Sequence, residues 1–525
     1  MLFNSRPFLL AFLPLTLLLV LGLRHLGQRS AAKAALIGAS LFFYGWWSPK
    51  YLGLLLALLA FNYGVARALL RAGTAEKPSR MRAPLFVFGL AANILALGYF
   101  KYAAFVVALL DHHTPIHLKI GAVVLPLGLS FITFQKIAFL ADIHSGAVTG
   151  FAFADYALFV TFFPQLIAGP IVHHAEVMPQ FDRPDALRFD RLKIAAGLSL
   201  LVMGLVKKAV FADAVGPAAT AVFALAARGG PVDFFSAWSG AFAYMLQLYF
   251  DFSAYSDMAI GLGLMFGIHL PFNFSSPYKA TSIIEFWQRW HITLTRFLTA
   301  YIYNPIVVGL TRRRAARGLS VVTRRGMTPG VFLTLQALPT MVTMVICGVW
   351  HGAGFQFIAF GLLHGVYLII NHGYRALRAA RGITAPPRGV RVWGRALTLL
   401  AVLLAQVLFR SDSLHAARTM LRGMVGRSGF ALPASIDWAL VAFAIGLFLV
   451  TQITPNSQEI LGSVLTRLRA AGARRGAATG KTEPAPRKFW PVWRPNLAWG
   501  LVLAAAGFYA MLQSSGASEF LYFNF

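Results

Sequence analysis

The chain has 525 residues, of which 58% are hydrophobic and 12% charged, whereas soluble proteins have about 25% charged residues. Its formal net charge is +29 at pH 7, but the Lys and Arg residues stand in short stretches between apolar runs. That arrangement is typical of cytoplasmic loops in membrane proteins and argues against a nucleic-acid partner. The only cysteine, Cys347, excludes an internal disulfide.

Apolar runs of about 18–20 residues, the length of a bilayer-spanning helix, recur along the chain. In lipid such runs satisfy their backbone hydrogen bonds as helices, which predicts an all-α polytopic membrane protein with about 11–13 transmembrane or re-entrant helices. The runs of the first part are residues 8–23, 34–47, 51–66, 84–109, 120–141 and 150–168. Basic loops follow the first and the third run, so we expect an extracytoplasmic N-terminus.

Two polar interruptions stand out in this first part. Asp111, His112 and His113 follow the run 84–109, and we interpret them as a solvated loop rather than a metal site, because no clear ligand spacing surrounds them. No metal ligands are predicted in the chain. The segment Phe163–Ile171 contains two prolines and a glycine, which predicts a broken helix that is buried in protein or lines a cavity.

The second part of the chain contains one long apolar run that carries a polar insert. Further runs follow, and the spans of this part are residues 194–212, 236–266, 331–349, 355–370, 396–409, 436–453 and 497–513. The insert in the run 236–266 consists of Gln247, Asp251, Ser253, Tyr255, Ser256 and Asp257. It either lines a cavity or makes hydrogen bonds between spans, and the sequence leaves both interpretations open.

Charge predicts the topology of the remaining runs. The clusters Arg312–Arg325 and Arg375–Arg395 and the loop 464–495 are predicted to be cytoplasmic, which places His351 near the turn of an up-and-down pair. The one-sided pattern from Leu414 to Met424 predicts an interfacial amphipathic helix. The aromatic C-terminal tail is then expected outside, at the membrane interface.

Two Trp-His pairs, Trp290-His291 and Trp350-His351, lie within this apolar sequence. Ionisable groups at membrane depth usually have a function, and imidazole can accept and donate a proton near pH 7. It can therefore deprotonate an attacking hydroxyl, or become acylated as a covalent relay. We expect His291 to lie in a helix, and the small residues after His351 to let a substrate approach the backbone.

Five stretches, in order, resemble the membrane-bound O-acyltransferases, and within that family the bacterial branch that O-acetylates polysaccharides such as alginate. They are Phe163–Ile171, Asp251–Gly261, Phe286–Thr295, Tyr301–Pro305 and Gly348–Gly352. The resemblance covers roughly residues 120–375 and implies a single membrane domain over residues 1–525, with peripheral helices in 1–119 and 376–525.

The resemblance also implies the roles of individual residues. His351 would be the catalytic histidine and His291 a second, supporting one, in a bowl-shaped helical fold with a central funnel and tunnel. The candidates for the tunnel and the substrate site include five residues of the polar insert, Asp251, Ser253, Tyr255, Ser256 and Asp257. The other candidates are Trp350, Trp290, Gln288, Arg289, Trp287, Asn304 and Tyr303. No permanently bound cofactor is expected, and acetyl-CoA is the expected donor.

These observations predict an acetyltransferase of the bacterial inner membrane that serves an exported polysaccharide such as alginate or cellulose. The acetyl group would pass to the glycan directly or through a periplasmic acetyltransferase, within a synthesis and export machinery. D-alanyl transfer to teichoic acid and polytopic transport of a lipid-linked or anionic solute remain alternatives.

Overall fold

The computed structural model describes residues 1–74, 76–114, 121, 123–321, 328–383, 388–432, 436–473, 492–514 and 520–521. These residues form helices joined by loops and contain no β-strand. Among them, the segments long and apolar enough to cross a membrane are Phe8–His25, Pro49–Arg71, Arg82–His113, Arg191–Ala227, Pro329–His351, Phe355–Ala380 and Val390–Arg410. Two shorter apolar helices add Trp438–Ile453 and Leu497–Gln513. The predicted all-α polytopic membrane fold is confirmed.

The described helices are numbered here in chain order. They are α1 (Leu13–His25), α2 (Arg29–Gly45), α3 (Pro49–Arg71), α4 (Arg82–His113), α5 (Leu129–Ser145), α6 (Phe153–Thr161), α7 (Phe163–Leu166), α8 (His174–Phe181), α9 (Arg191–Val206), α10 (Asp213–Ala227), α11 (Phe234–Met265), α12 (Ile283–Arg289), α13 (Ile292–Leu298), α14 (Asn304–Ala316), α15 (Pro329–Phe332), α16 (Leu338–His351), α17 (Phe355–Ala380), α18 (Arg395–Arg410), α19 (Leu414–Met424), α20 (Trp438–Ile453), α21 (Ser457–Ile460), α22 (Gly462–Ala473) and α23 (Leu497–Gln513).

The chain forms two compact units. The first comprises Met1–Val210, Phe252–Phe272 and Ser457–Asn524, and the second comprises Phe211–Asp251 and Asn273–Asn456. The chain passes between them at several points, one of which, between Asp251 and Phe252, falls within α11. Single turns of π-helix extend several of the helices, at Phe8–Phe12, Lys207–Ala212, Thr299–Tyr303, Leu333–Ala337 and Val390–Gly394.

In the first unit, small and amide residues hold the helices together. A Cβ atom on Gly197 of α9 would lie 2.5 Å from the carbonyl oxygen of Gly261 in α11, so only glycine allows this approach. Asn62 of α3 and Asn93 of α4 exchange two amide hydrogen bonds of 3.1 and 2.7 Å. Close contact between small residues and buried amide pairs are the usual contacts between helices in lipid.

The predicted break near Pro164 is confirmed. Helix α6 ends at Thr161, α7 lasts for four residues, and α8 begins only at His174. Residues 162–172 are buried throughout, and the Gln165 side chain donates to the carbonyl oxygen of Phe159 at 2.7 Å. Protein atoms thus replace the hydrogen bonds that the broken helix cannot supply.

In the second unit, α16 and α17 form a tightly packed hairpin. A Cβ atom on Gly348 would lie 3.1 Å from the Cα atom of Gly361 and would collide with the carbonyl oxygen of Phe357. The two backbones can approach this closely because both crossing positions are glycine. The hairpin confirms the predicted up-and-down pair and places His351 at its turn.

The structure corrects one prediction about the loops and confirms another. His112 and His113 form the last turn of α4 rather than a loop, because the apolar helix continues to His113. The basic cluster that begins at Arg312 starts inside helix α14. The amphipathic helix from Leu414 to Met424 is confirmed. Predictions about Arg324 and Arg325, most of the loop 464–495 and most of the aromatic tail lie outside the described residues.

Candidate active site

His351 is the last residue of α16, and its ring is buried among aromatic side chains. The ring centroids of Trp350, Phe409 and Phe360 lie 4.8, 5.0 and 6.0 Å from that of His351, all with tilted or edge-on geometry. The aromatic contacts exclude bulk water from most of the imidazole, so hydrogen bonds and partial charges near it act in a medium of low dielectric constant.

The small residues after His351 have a different role from the predicted one. A side chain on Gly352 would collide with the ring of Phe357, and one on Gly354 would collide with the side chain of Gln356. Protein side chains therefore occupy the space that we expected a substrate to use. The glycines allow the chain to turn sharply from α16 into α17 and bring Phe357 against the turn.

His291 does not lie in a helix, which corrects the prediction. Helix α12 ends at Arg289 and α13 begins at Ile292, while His291 adopts the left-handed conformation with φ = 44°. This conformation is costly for a residue other than glycine and persists only where surrounding contacts impose it. The carbonyl oxygen of Asn273 accepts the N–H of Ile292 at 2.9 Å and thereby fixes the break.

Asn273 also fixes the proton of His291. Nδ1 of His291 lies 3.0 Å from Oδ1 of Asn273, and the same oxygen accepts from the N–H and the hydroxyl of Thr293 at 3.3 and 2.9 Å. Because this atom accepts a backbone N–H, it is the amide oxygen, and Nδ1 of His291 must donate to it. The neutral ring then carries its lone pair on Nε2, the atom able to act as a base.

Trp350 connects the two histidines. Its ring centroid lies 6.3 Å from that of His291 and 4.8 Å from that of His351. Trp290 belongs to a neighbouring cluster, where it stacks on Phe286 at 5.6 Å and meets Phe274 at 5.1 Å. The two histidines, 60 residues apart in the sequence, thus both contact the indole ring of Trp350.

A further buried histidine of the second unit, His364 of α17, was not predicted. Its Nδ1 accepts the indole N–H of Trp287 at 3.3 Å, and its ring lies edge-on to Phe360 at 4.6 Å. Phe360 is also a contact of His351. The position of His364 within the apolar run that follows His351 could have signalled it as a candidate, whereas Asn273 gave no such signal.

Arg289 has a structural partner. It pairs with Glu285 at 2.7 Å, and the other carboxylate oxygen of Glu285 accepts the N–H and the hydroxyl of Thr281 at 2.8 and 2.7 Å. Burial alone would raise the pKa of the Glu285 carboxyl, but Thr281 and the Arg289 guanidinium outweigh it and hold the pKa below its usual range. These contacts anchor the short helix α12, which ends two residues before His291.

Four further candidates of the second unit differ in their burial. Gln288 and Asn304 are exposed, and Tyr303 lies against Thr340 and Gln336. Asp251 also belongs to this unit and is buried.

The other members of the polar insert belong to the first unit. Ser253, Tyr255, Ser256 and Asp257 are all buried in α11. Asp257 pairs with Lys207 at 2.6 Å and accepts a short hydrogen bond from Ser457, while Tyr255 stacks on Phe3 at 4.8 Å. For Asp257 the structure therefore favours a hydrogen-bonding role within the unit.

Comparisons with known proteins agree with the membrane fold and identify the family. Residues 144–322 match the MBOAT, membrane-bound O-acyltransferase family. The chain is 38% identical to the peptidoglycan O-acetyltransferase of Helicobacter pylori over 82% of this chain and 81% of the relative. It is 32% identical to the probable alginate O-acetylase AlgI of Pseudomonas aeruginosa over the full length of both.

A more distant relative is the teichoic acid D-alanyltransferase of Streptococcus thermophilus, which is 25% identical over 47% of this chain and 57% of the relative. The described residues form a polytopic membrane protein with buried histidines. The chain belongs to the membrane-bound O-acyltransferase family and is an acyltransferase.

Proposed function

We propose that the chain takes acetyl groups from a cytosolic thioester, acetyl-CoA, and supplies them for the O-acetylation of an exported polysaccharide. The observation that carries the proposal is the contact of both His291 and His351 with Trp350 in an apolar, buried setting. The names of the relatives, an alginate O-acetylase and a peptidoglycan O-acetyltransferase, support acetyl as the acyl group and a glycan as its destination.

In this proposal His351 is the catalytic residue. Its imidazole takes the proton of an acceptor hydroxyl while the hydroxyl oxygen attacks the thioester carbonyl. The carbonyl oxygen becomes negatively charged and is stabilised by a hydrogen-bond donor. When the tetrahedral intermediate collapses, the C–S bond breaks, the thiolate leaves, and the proton on His351 returns to the sulfur. The products are the acetyl ester and the free thiol.

His291 is the supporting residue. With Nδ1–H held by Asn273, its Nε2 can accept a hydrogen bond from an acceptor hydroxyl or from a protonated partner. A covalent variant of this mechanism uses the same residues. An imidazole first attacks the thioester and is acetylated while the thiol leaves, and the acetyl group then passes to the hydroxyl, whose proton is released.

The proposed enzyme lies in the bacterial inner membrane, with both termini outside and its donor in the cytosol. The family resemblance further supports a tunnel through a bowl-shaped helical fold. A periplasmic acetyltransferase and the synthesis and export machinery of the polymer are the proposed partners, and membrane lipid surrounds the apolar helices. No permanently bound cofactor takes part.

Purified protein in proteoliposomes tests this function. Radiolabelled acetyl-CoA is supplied on one side and alginate or peptidoglycan fragments on the other, and the label that reaches the acceptor is counted. Transfer by the wild type, absent for His351→Ala, supports the proposal. Transfer only from a D-alanyl-loaded carrier protein would favour the teichoic acid reaction, and solute flux without acyl transfer would favour a transporter.

A further inference from the structure

We propose that Asp142, His173 and His174 form a binding site for a divalent transition-metal ion where the end of α5 meets the start of α8. The Nε2 atoms of the two histidines each lie 2.8 Å from the same carboxylate oxygen, Oδ2 of Asp142. The three candidate ligand atoms all lie within 4.8 Å of one another, and all three residues belong to the first unit. This site is separate from the histidines of the proposed reaction.

The backbone holds the three side chains in place. Asp142 stands in the last turn of α5, whose end is fixed by Gly146 with φ = 86° and by the N–H of Ala147, which donates to the carbonyl oxygen of Asp142 at 2.9 Å. His173 is the N-terminal capping residue of α8, and His174 is the first residue of that helix. Two helix ends therefore supply the ligands, which makes the site geometrically defined rather than a chance meeting on mobile loops.

Burial and access suit an ion. The side chains of Asp142, His174 and His173 are 16%, 10% and 34% exposed, so the site is mostly enclosed but open on the side of His173. An ion and its water ligand can enter there. Two neutral imidazoles and one carboxylate are a frequent ligand set for zinc and related metals, with water in the fourth position. Calcium and magnesium are disfavoured because they prefer oxygen ligands.

The distances require only a small expansion. Zinc bonds of about 2.0–2.1 Å in a tetrahedral site separate neighbouring ligand atoms by roughly 3.3 Å. The Nε2 to Oδ2 distances of 2.8 Å would have to lengthen by roughly 0.5 Å, which side-chain rotations can supply. The present distances are those of hydrogen bonds, which the bonds to the ion would replace.

Metal binding also requires a proton rearrangement at His173. Nδ1 of His173 accepts the N–H of Ala175 at 3.2 Å, so in the neutral ring Nε2 carries the proton and donates to Asp142. When Nε2 binds a metal, the proton moves to Nδ1, which can then no longer accept a hydrogen bond. The N–H of Ala175 donates to water instead, because Ala175 is exposed. The loss of this one capping hydrogen bond costs far less free energy than zinc binding can supply.

The chain contains a matched control. His112 and His113 are likewise adjacent, and their ring centroids are 4.7 Å apart at the end of α4. Among the described residues they belong to no group of three ligand atoms, whereas Asp142, His173 and His174 do. A signal that arises from any pair of neighbouring histidines should therefore fall as much with His113→Ala as with His174→Ala.

Zinc binding by the purified full chain, with any affinity tag removed, tests the proposal. The protein is stripped with a chelator, titrated with zinc, separated by gel filtration and analysed for metal, and its thermal midpoint is recorded with and without zinc. We expect about one zinc ion per chain and a raised midpoint. The affinity for zinc should fall at least about tenfold in Asp142→Asn and in His174→Ala. Asp142→Asn preserves the packing, because its amide oxygen still accepts hydrogen bonds from both rings.

His113→Ala should bind zinc as the wild type does. Absence of zinc from the wild-type protein would overturn the proposal and leave Asp142 as a hydrogen-bonding partner of the two histidines only. Wild-type affinity in a correctly eluting Asp142→Asn protein, or loss of binding in His113→Ala alone, would overturn it as well. None of these readouts depends on acetyl transfer, so the result is independent of the proposed function.

Discussion

Oδ1 of Asn273 accepts Nδ1–H of His291 at 3.0 Å, although the two residues are separated by 18 positions in the chain. This hydrogen bond selects one tautomer of the imidazole and presents its Nε2 lone pair as a base. The neighbouring contact from the N–H of Ile292 to the carbonyl oxygen of Asn273 imposes the left-handed backbone of His291. One residue thus controls both the orientation and the protonation of a proposed active-site histidine.

Replacing Asn273 should therefore impair acetyl transfer. We expect Asn273→Ala to lower kcat by about 10- to 100-fold, approaching the loss in His291→Ala, since a misoriented base loses most of its contribution. Asn273→Asp keeps an oxygen acceptor for Nδ1–H and should retain more activity than Asn273→Ala. Steady-state kinetics with purified proteins measures the effect, and equal losses in both variants would mean that the acceptor oxygen is irrelevant.

The contact between α16 and α17 should tolerate no side chain at Gly348. The new methyl of Gly348→Ala would meet the Phe357 carbonyl and the Gly361 backbone, so we expect a loss of about 1–3 kcal/mol and a lower thermal midpoint in detergent. Gly446→Ala in α20 is the control, because a Cβ there meets no atom within 4 Å. If both variants melt alike, the close approach of the two helices is not a source of stability.

The carboxylate of Glu285 should make stability depend on pH on the acid side. Its pKa in the folded protein lies below the ordinary value of 4.5, so its contribution is complete above that value and is lost as the pH falls through the lower folded pKa. Glu285→Gln should therefore lower stability by about 1 kcal/mol near neutral pH. The difference from wild type should shrink in acid, and a difference that stays constant over the titration would exclude this assignment.

The topology predicts which side of the membrane the basic residues after α14 face. A cysteine that replaces Ser320, an exposed residue after α14, in a Cys347→Ala background should react only with a thiol reagent that enters the cytosol. A cysteine at Ser48, in the loop before α3, should react with an impermeant reagent once the outer membrane is opened. The reverse labelling pattern would invert the proposed topology and remove the cytosolic access of the donor.

The sequence predicted those features that depend on local composition. Hydropathy predicted most of the long helices, and the prolines at 164 and 170 predicted the break before α8. The place of His351 at a helix turn followed from the two apolar runs around it. Each of these features is encoded within a short window, where helix length or a missing backbone donor decides the outcome.

Features that depend on distant contacts could not be predicted. The sequence on both sides of His291 suits a helix, and only the hydrogen bonds of Asn273 reveal why the helix breaks there. Similarly, Gly352 looked like an opening for a substrate, but the ring of Phe357 fills that space. Long-range packing overrides local propensity at both positions.

The most direct test of the central claim measures the acetate that is bound to the exported polymer in cells that carry His351→Ala. The protein level in the membrane is measured alongside, and His372→Ala, a histidine of α17 outside the proposed site, serves as the control. We predict that His351→Ala abolishes polymer-bound acetate at a normal protein level, while His372→Ala retains it. Wild-type acetate in the His351→Ala strain would contradict the assignment of His351 as the catalytic residue.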